Sequence, residues 1–165
     1  MPELISPDAA WHHAWRQAHL EWGPGLHEDG FGLLPGDDVE APAGFDSWLH
    51  RLAANTRCTY LWITEDGRVL GGIALRHEEH EAVPRAGHLG YGIRPSARRR
   101  GVAAWAVEAM LNEARRLGMS QVLAVSAADN RASVRTLEAA GGVLQQDDDG
   151  GQVRRYVLAA APGSE

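Results

Sequence analysis

Residues 87–110, GHLGYGIRPSARRRGVAAWAVEAM, place a strand, a turn and a helix in immediate succession. Pro95 cannot donate a hydrogen bond to a ladder, so the strand is expected to end just before it. A helical pattern then runs from about Val102 to Leu117 and ends at Gly118, a residue type that often closes helices. The apolar segment SQVLAVSA follows and has the composition of a buried strand. A strand, a helix and a second strand in this order predict one parallel crossover within the sheet.

The remaining segments add antiparallel pairs and helices around that crossover. Glu3 to Ser6 forms a short first strand, and Asp66-Gly67 joins two strand-like runs in a hairpin. GVLQQ and QVRRYVLA predict a final hairpin, and NRASVRTLEAAGG predicts a helix before it. Two helices are expected earlier, after Pro7-Asp8 and over about Phe45 to Asn55, separated by a long loop from Gly23 to Gly44. The fold class is therefore α/β, and loops of this length are often functional.

Size, charge and cysteine content narrow the class of protein. A chain of 165 residues has the size of one domain, so we expect residues 1–165 to form a single domain. The formal net charge of −6 disfavours nucleic-acid binding, which needs a basic surface. Cys58 is the only cysteine, which excludes an internal disulfide, and no apolar segment approaches the roughly 20 residues that span a bilayer. We expect a cytoplasmic protein without a nucleic-acid or membrane partner.

Four arginines in seven residues mark the turn after the central strand. Such a run is usually a solvated face, but Arg98, Arg99 and Arg100 here precede Gly101 at the start of a helix. Unpaired amides in the first turn of a helix bind phosphate, and glycine lets the backbone approach the ligand closely. Neither the Walker pattern nor G-x-G-x-x-G occurs in the sequence. The turn therefore predicts a phosphate site of another kind.

Two motifs resemble those of the GNAT acyltransferases. Residues 98–103, RRRGVA, are similar to motif A, [Q/R]-x-x-G-x-[G/A], which follows a strand ending in V/I-x-P. VSAADNRASVRTLEAAGGVL is similar to motif B, a strand followed by N-x-x-[SA] at the start of a helix. The resemblance covers at least Thr59 to Leu158, and PAGFDSWLHRL and IALRHEEHE also look like one bacterial subgroup of predicted acetyltransferases. It implies a mostly antiparallel sheet of about seven strands, about four helices and one parallel split at the cofactor site.

The resemblance implies acetyl-CoA as co-substrate, bound across that split. The backbone of Tyr91, Gly92 and Ile93 would pair with the pantetheine arm. Arg98 to Ala103, which includes Val102, would hold the pyrophosphate. Asn130 would hydrogen-bond to the pantetheine, with Ser133 beside it in the same site. Two other interpretations stay open, since Gly90 and Gly92 could be bulge glycines and Asn130 is also a sensible helix N-cap.

The catalytic residues that the resemblance implies are less well defined. His88 stands where many relatives have a glutamate base, and it is either that base or a strand histidine satisfied by a neighbour. Many relatives also carry a tyrosine as acid in the motif B helix, but Leu137 occupies that position here. Tyr91, Ser133 or water would then supply the proton, or the thiolate would leave without a dedicated acid. The backbone amide near Ile93 would polarise the carbonyl.

The acceptor is expected to be a primary amine of a small molecule. Glu78 and Glu79 would attract a cationic amine, and Trp22 either contacts substrate or caps the adjacent helix. His77 and His80 lack H-E-x-x-H spacing, so no metal is expected. The alternatives are another acyl donor, a protein amine as acceptor, or a CoA-binding sensor that has lost catalysis. Homodimers are common among relatives, and nothing in the sequence decides between monomer and dimer.

Overall fold

A seven-stranded mixed sheet runs through the molecule in the order β1-β2-β3-β4-β5-β7-β6. The computed structural model describes residues 1–23, 30–77, 81–145 and 149–160. All neighbouring strands are antiparallel except β4 and β5, which confirms the predicted α/β sheet with one parallel pair. The strands are β1 Glu3–Ile5, β2 Cys58–Glu65, β3 Arg68–Arg76, β4 Leu89–Ile93, β5 Gln121–Ala127, β6 Val143–Leu144 and β7 Val153–Ala159.

The described residues contain five α-helices, one more than the sequence predicted. The extra helix is a single turn, whose proline in the first turn and following glycine give no periodic signal. No helix in the described residues is long and apolar enough to cross a membrane. The helices are α1 His12–Trp22, α2 Pro42–Ala54, α3 Val83–Ala86, α4 Val102–Arg116 and α5 Arg131–Ala139.

Helices α4 and α5 cover one face of the sheet with an aliphatic core. Met110 and Ala106 of α4 are fully buried against Ile73 of β3 and Val122 of β5. Leu89 and Ile93 of β4 also point to this side, and Tyr91 packs against the same cluster. Because side chains alternate along a strand, Gly90 and Gly92 face the opposite side. The second face of β4 therefore carries no side chains at these two positions.

Helices α1 and α2 cover that second face with an aromatic core. Trp15, Trp48 and Trp62 are at most 1% exposed, and the ring centroids of Trp15 and Trp48 lie 4.8 Å apart. Phe31 and Phe45 pack edge-on or tilted against Trp15, each with centroids 5.6 Å from it. Trp62 of β2 thus joins Trp15 of α1 and Trp48 of α2 in this core.

The described part of the long loop, residues 30–41, is held closely against the sheet and α2. A Cβ at Gly72 would lie 2.6 Å from Cδ1 of Phe31, so the Phe31 ring occupies the space that a side chain at 72 would need. Arg51 of α2 donates to both carboxylate oxygens of Asp37 and to the carbonyl oxygen of Gly32. The loop ends three residues earlier than predicted because α2 begins at Pro42, a residue that favours the first helical position.

Candidate active site

The two parallel strands separate shortly after they meet. Leu89↔Ala124 is their only ladder pair, and β4 then continues to Ile93 without pairing to β5. On the other edge of β4, pairing with β3 continues as far as Ile93, opposite Gly71. The edge of β4 that faces β5 is therefore open along its second half, where the sequence predicted a pantetheine arm.

A cleft of about 730 Å³ occupies this gap and extends to the start of α4. Ten of the eleven predicted cofactor-binding residues line it, all except Arg100. Trp22 lines it as well, so the end of α1 reaches the same cleft. The sequence analysis missed the contributions of β5 and of the outer side of α5, namely Val125, Ser126, Ala127, Ala132 and Thr136. The predicted parallel crossover was the available signal for β5, because it places the end of that strand opposite β4.

The turn before α4 has the backbone geometry of an anion site. Arg99 and Gly101 both adopt left-handed conformations, with φ of +61° and +74°. Gly101 is the N-cap of α4, and a Cβ there would meet no protein atom within 4 Å. Its positive φ, rather than crowding by protein, is what favours glycine at this position. Alternating left- and right-handed residues before a helix gather N–H groups into a concavity that binds anions.

The four arginines of the turn have four different environments. Arg98 donates from Nε to the carbonyl oxygen of Ile93 at 2.8 Å and so braces the turn against the end of β4. Arg100 pairs with Glu65 at 2.5 Å. Arg94 is buried, 6% exposed, and lies away from the turn against α1. Arg99 is exposed and makes no ion pair with any residue that the structure describes. Arg98 and Arg99 are therefore the two that line the cleft.

The first turn of α5 brings polar groups to the opposite wall. Asn130 caps the helix, since its Oδ1 accepts from the Ser133 N–H at 3.2 Å. The Tyr91 hydroxyl lies 3.0 Å from the Ser133 hydroxyl, which joins β4 to α5 across the cleft. The N-cap interpretation of Asn130 is thus observed, and its side-chain amide N–H groups remain as possible donors to a ligand.

His88 lies where β4 and β5 still touch. Its ring Nδ1 accepts from the Leu123 N–H at 2.8 Å, and its own backbone N–H donates to the Leu123 carbonyl oxygen at 2.7 Å. A neutral ring that accepts at Nδ1 carries its proton on Nε2, so the lone pair that a base needs is already engaged. Action as a base would require this bond to break, and the role of His88 stays a prediction. Glu78 and Glu79, predicted to attract the acceptor, lie outside the described residues.

Comparison with known proteins agrees with this geometry. Residues 5–143 match the family model of the acetyltransferase (GNAT) domain. The chain belongs to the GNAT acetyltransferases. No curated protein sequence matches it.

Solved structures with the same fold share little sequence with this GNAT chain. RimL, a ribosomal L7/L12 α-N-protein acetyltransferase in complex with coenzyme A, is 16% identical with a TM-score of 0.72, over 96% of this chain and 93% of that one. RimJ of Mycobacterium smegmatis, with CoA-disulfide, is 20% identical with a TM-score of 0.71, over 96% and 80%. MccE, the microcin C7 self-immunity acetyltransferase with acetyl-CoA and AMP, is 14% identical with a TM-score of 0.68, over 96% and 92%.

Membership of the GNAT family confirms the predicted activity, an N-acetyltransferase that uses acetyl-CoA. The residues present fit that co-substrate, because the open edge of β4, the anion turn and the polar start of α5 line one cleft. Leu137, at the position of the family's tyrosine, is 1% exposed within the aliphatic core. Among the described residues no group of three or more His, Cys, Asp or Glu side chains is arranged to hold a metal ion.

Proposed function

We propose that residues 1–165 form one cytoplasmic enzyme unit that acetylates the primary amine of a small molecule. The observation that carries the proposal is the cleft between β4 and β5, which ends at the left-handed turn of Arg99 and Gly101. A small acceptor is supported by the covered second face of the sheet. Gly30 N lies 3.9 Å from where a Cβ of Gly90 would be, so the loop passes directly over β4. Such a cover leaves more room for a small amine than for a folded protein surface.

In this proposal acetyl-CoA supplies a thioester whose carbonyl carbon is attacked by the amine, so that a C–N bond forms and the C–S bond breaks. The backbone amide near Ile93 polarises the carbonyl oxygen. Tyr91, with its hydroxyl held 3.0 Å from that of Ser133, gives a proton to the leaving sulfur. The amine loses its proton to water or to His88, the latter only after His88 releases Leu123.

The cofactor assignment is tested by thermal unfolding with acetyl-CoA, CoA and desulfo-CoA. A ligand that binds only the folded state raises the melting temperature, and all three are expected to do so for the wild type. Gly101→Glu places a carboxylate in the turn of residues 98–101, here called the phosphate turn. It is expected to abolish the rise in melting temperature. Gly118→Glu is the matched control, because Gly118 at the far end of α4 also has a positive φ, +85°, and open space around it. No shift in the wild type, or equal loss in both variants, would refute the assignment.

The catalytic assignments are tested by kinetics on Tyr91→Phe, Ser133→Ala and His88→Gln. Loss of a proton donor costs about 10²-fold in kcat, so Tyr91→Phe is expected to lower kcat by about that factor with little change in acetyl-CoA affinity. His88→Gln keeps a side-chain acceptor for the Leu123 N–H. If His88 only joins β4 to β5, this variant retains most of its kcat, whereas removal of a catalytic base would lower kcat severely.

The acceptor class is tested by release of free thiol from acetyl-CoA with a panel of small amines and of peptides with free N-termini. Turnover with small amines supports the proposal, and turnover with peptides alone would assign a protein amine instead. Binding of acetyl-CoA without turnover on any acceptor would favour a CoA sensor.

A further inference from the structure

The last turn of α1 is fastened to the end of β4 by one carboxylate. Oε2 of Glu21 accepts from Arg94 Nε at 2.8 Å, from the Ser96 hydroxyl at 3.0 Å and from the Ser96 backbone N–H at 3.2 Å. The residues involved are 73 and 75 positions apart in the sequence. One carboxylate oxygen therefore gathers three donors from the segment that leads into the phosphate turn.

Arg94 is a rigid partner in this contact. Its NH1 donates to the Val69 carbonyl oxygen at 3.1 Å, and its backbone N–H donates to the Leu70 carbonyl oxygen at 2.8 Å. The Arg94 side chain is 7% exposed, so the guanidinium cannot leave the sheet without losing its bonds to the Val69 carbonyl and to Glu21. The position of Glu21 is thus set by the sheet rather than by α1 alone.

The same helix offers a contrasting ion pair. Arg16 of α1 pairs with Glu40 at 2.6 Å, but these side chains are 39% and 50% exposed and neither touches the cleft. Exposed pairs of this kind contribute little to stability. The Glu21–Arg94 pair therefore connects α1 to the segment before the phosphate turn, whereas the Arg16–Glu40 pair lies on the protein surface.

The residue next to Glu21 lines the cofactor cleft. Trp22 lines it together with Gly92 and Gly101, and its ring packs edge-on against Phe31 with centroids 5.6 Å apart. Phe31 is itself seated on Gly72. Trp22 is therefore fixed on one side by its ring contact and on the other by the backbone of Glu21.

On the β4 side, the contact made by Glu21 lies next to the phosphate turn. Ser96 lies two residues before Arg98, whose Nε braces the Ile93 carbonyl and which lines the cleft. Any movement of α1 away from β4 would have to displace Ser96 or break its bonds to Glu21. The contact thus couples the position of Trp22 to the position of the turn.

We propose that Glu21 is a positioning residue for acetyl-CoA binding, which holds the end of α1 on Arg94 and Ser96 and thereby places Trp22 as a wall of the cofactor cleft. This inference rests on the proposed function, since it requires acetyl-CoA to occupy that cleft. Because coupling between two sites is reciprocal, bound acetyl-CoA is expected to order the end of α1 in turn.

The test is ¹⁹F NMR of the full chain labelled with 5-fluorotryptophan, which gives one signal for each of the six tryptophans. Trp22→Phe assigns the Trp22 signal. In the wild type, acetyl-CoA is expected to shift the Trp22 signal and to leave that of Trp11 in place. In Glu21→Gln, the Trp22 signal of the free protein is expected to move or broaden. The Kd for acetyl-CoA is expected to rise about fivefold, as loss of part of a charged hydrogen bond would cause.

Two further variants make the result specific. Ser96→Ala removes one of the three bonds and is expected to change both readouts in the same direction by a smaller amount; it also replaces Glu21→Gln if that variant does not fold. Glu40→Gln breaks the exposed pair and is expected to match the wild type in both. A Glu21→Gln or Ser96→Ala protein that is less stable but keeps the wild-type Trp22 signal and Kd would overturn the proposal, as would an equal effect from Glu40→Gln. A wild type without any response to acetyl-CoA would instead refute the proposed function, and this proposal with it.

Discussion

The two faces of the sheet are built differently, although strands β2 and β3 contribute side chains to both cores. Toward α4 and α5 the core is aliphatic, and the cofactor cleft is formed by residues that are close in sequence, mostly 89–104 and 125–136. Toward α1 and α2 the core is aromatic, and the described loop of residues 30–41 is held by contacts between distant residues such as Arg51 and Asp37. Most residues that line the cleft belong to the segments beside the first face, whereas residue 30 of the loop on the second face lies directly over β4.

The largest expected effect comes from the aromatic face. Trp15 is fully buried and its ring packs against those of Phe31, Phe45, Trp48 and Trp62. Trp15→Ala should lower the free energy of unfolding by about 4 kcal/mol, compared with about 3 kcal/mol for Met110→Ala on the other face. Urea unfolding measures both values.

Acetyl-CoA affinity of the folded variants then tests how separate the faces are. An unchanged Kd in Trp15→Ala would show that the aromatic core acts on stability alone. A weakened Kd would show that the packing of α1 is transmitted to the cleft through its last turn. Trp15→Phe is the milder control, because the Trp15 indole N–H is buried without a hydrogen-bond partner in the described residues and its loss breaks no bond.

The sequence predicted the cofactor face far better than the aromatic face, and the reason is the sequence distance over which each is held together. The strand, turn and helix from Leu89 to Ala103 form a local unit, so its proline, glycine and helical periodicity were all readable. The hairpin at Asp66-Gly67 was readable for the same reason, and both residues have the positive φ expected there, +51° and +76°. Glu21 and Arg94 meet across 73 positions, and neither side of that contact carries a periodic pattern.

The same reasoning explains what the arginine run could not reveal. Four arginines within seven residues look equivalent in a sequence, yet Arg94 binds Glu21, Arg100 binds Glu65, and Arg98 donates to the Ile93 carbonyl oxygen. These partners come from α1, β2 and β4, so only the assembled sheet distinguishes the roles. Arg100 was predicted in the cofactor site and is the one such residue that does not line the cleft.

Two glycines on neighbouring strands, both facing the second side of the sheet, separate an effect on stability from an effect on cofactor binding. In Gly72→Ala the new methyl would lie 2.6 Å from Phe31 and 3.2 Å from the Gly30 carbonyl carbon, so we expect a loss of about 2 kcal/mol in stability. In Gly90→Ala the nearest atom is 3.9 Å away, an ordinary contact, and the stability should change by less than about 1 kcal/mol. Because Gly90 lines the cleft, its variant should instead weaken acetyl-CoA binding. Chemical unfolding measures the stability of both variants, and titration calorimetry measures their affinity for acetyl-CoA. Equal stability losses in the two variants would contradict the prediction.

Acid should loosen the second face through Asp37. Burial alone would raise the pKa of Asp37, but hydrogen bonds from Arg51 and from the Leu34 N–H outweigh it and hold the pKa below 3.8. The folded state therefore keeps Asp37 ionised at pH values where the unfolded chain binds a proton. Its stabilisation is fully present above the unfolded-state pKa of 3.8 and is lost as the pH falls through the lower folded-state pKa.

Glu21 acts with the same sign over a wider window. Burial opposes ionisation, but the bonds from Arg94 and Ser96 prevail and lower the pKa of Glu21 from 4.5 to about 2.

Unfolding free energies measured from pH 6 to pH 2 should fall with decreasing pH in the wild type and fall less steeply in Asp37→Asn. Asp46→Asn, on the exposed side of α2 without a side-chain bond in the described residues, should keep the wild-type slope. A steep slope retained in Asp37→Asn would place the acid sensitivity elsewhere, with Glu21 the next group to replace.

The smallest effect is expected from the ion pair between Arg100 of the phosphate turn and Glu65 at the end of β2. Arg100 is 46% exposed and its NH2 lies 2.5 Å from Glu65, the last residue of β2. Glu65→Gln removes a negative charge beside the turn and releases Arg100 toward bound phosphate, so the Kd for acetyl-CoA should tighten by roughly twofold at low salt and return to the wild-type value at high salt. Glu113→Gln is the matched control, because Glu113 pairs with Arg116 at the other end of α4. A weaker Kd in Glu65→Gln would reverse the interpretation, since Glu65 would then hold Arg100 in the orientation that phosphate needs, and the end of β2 would contribute directly to the cofactor site.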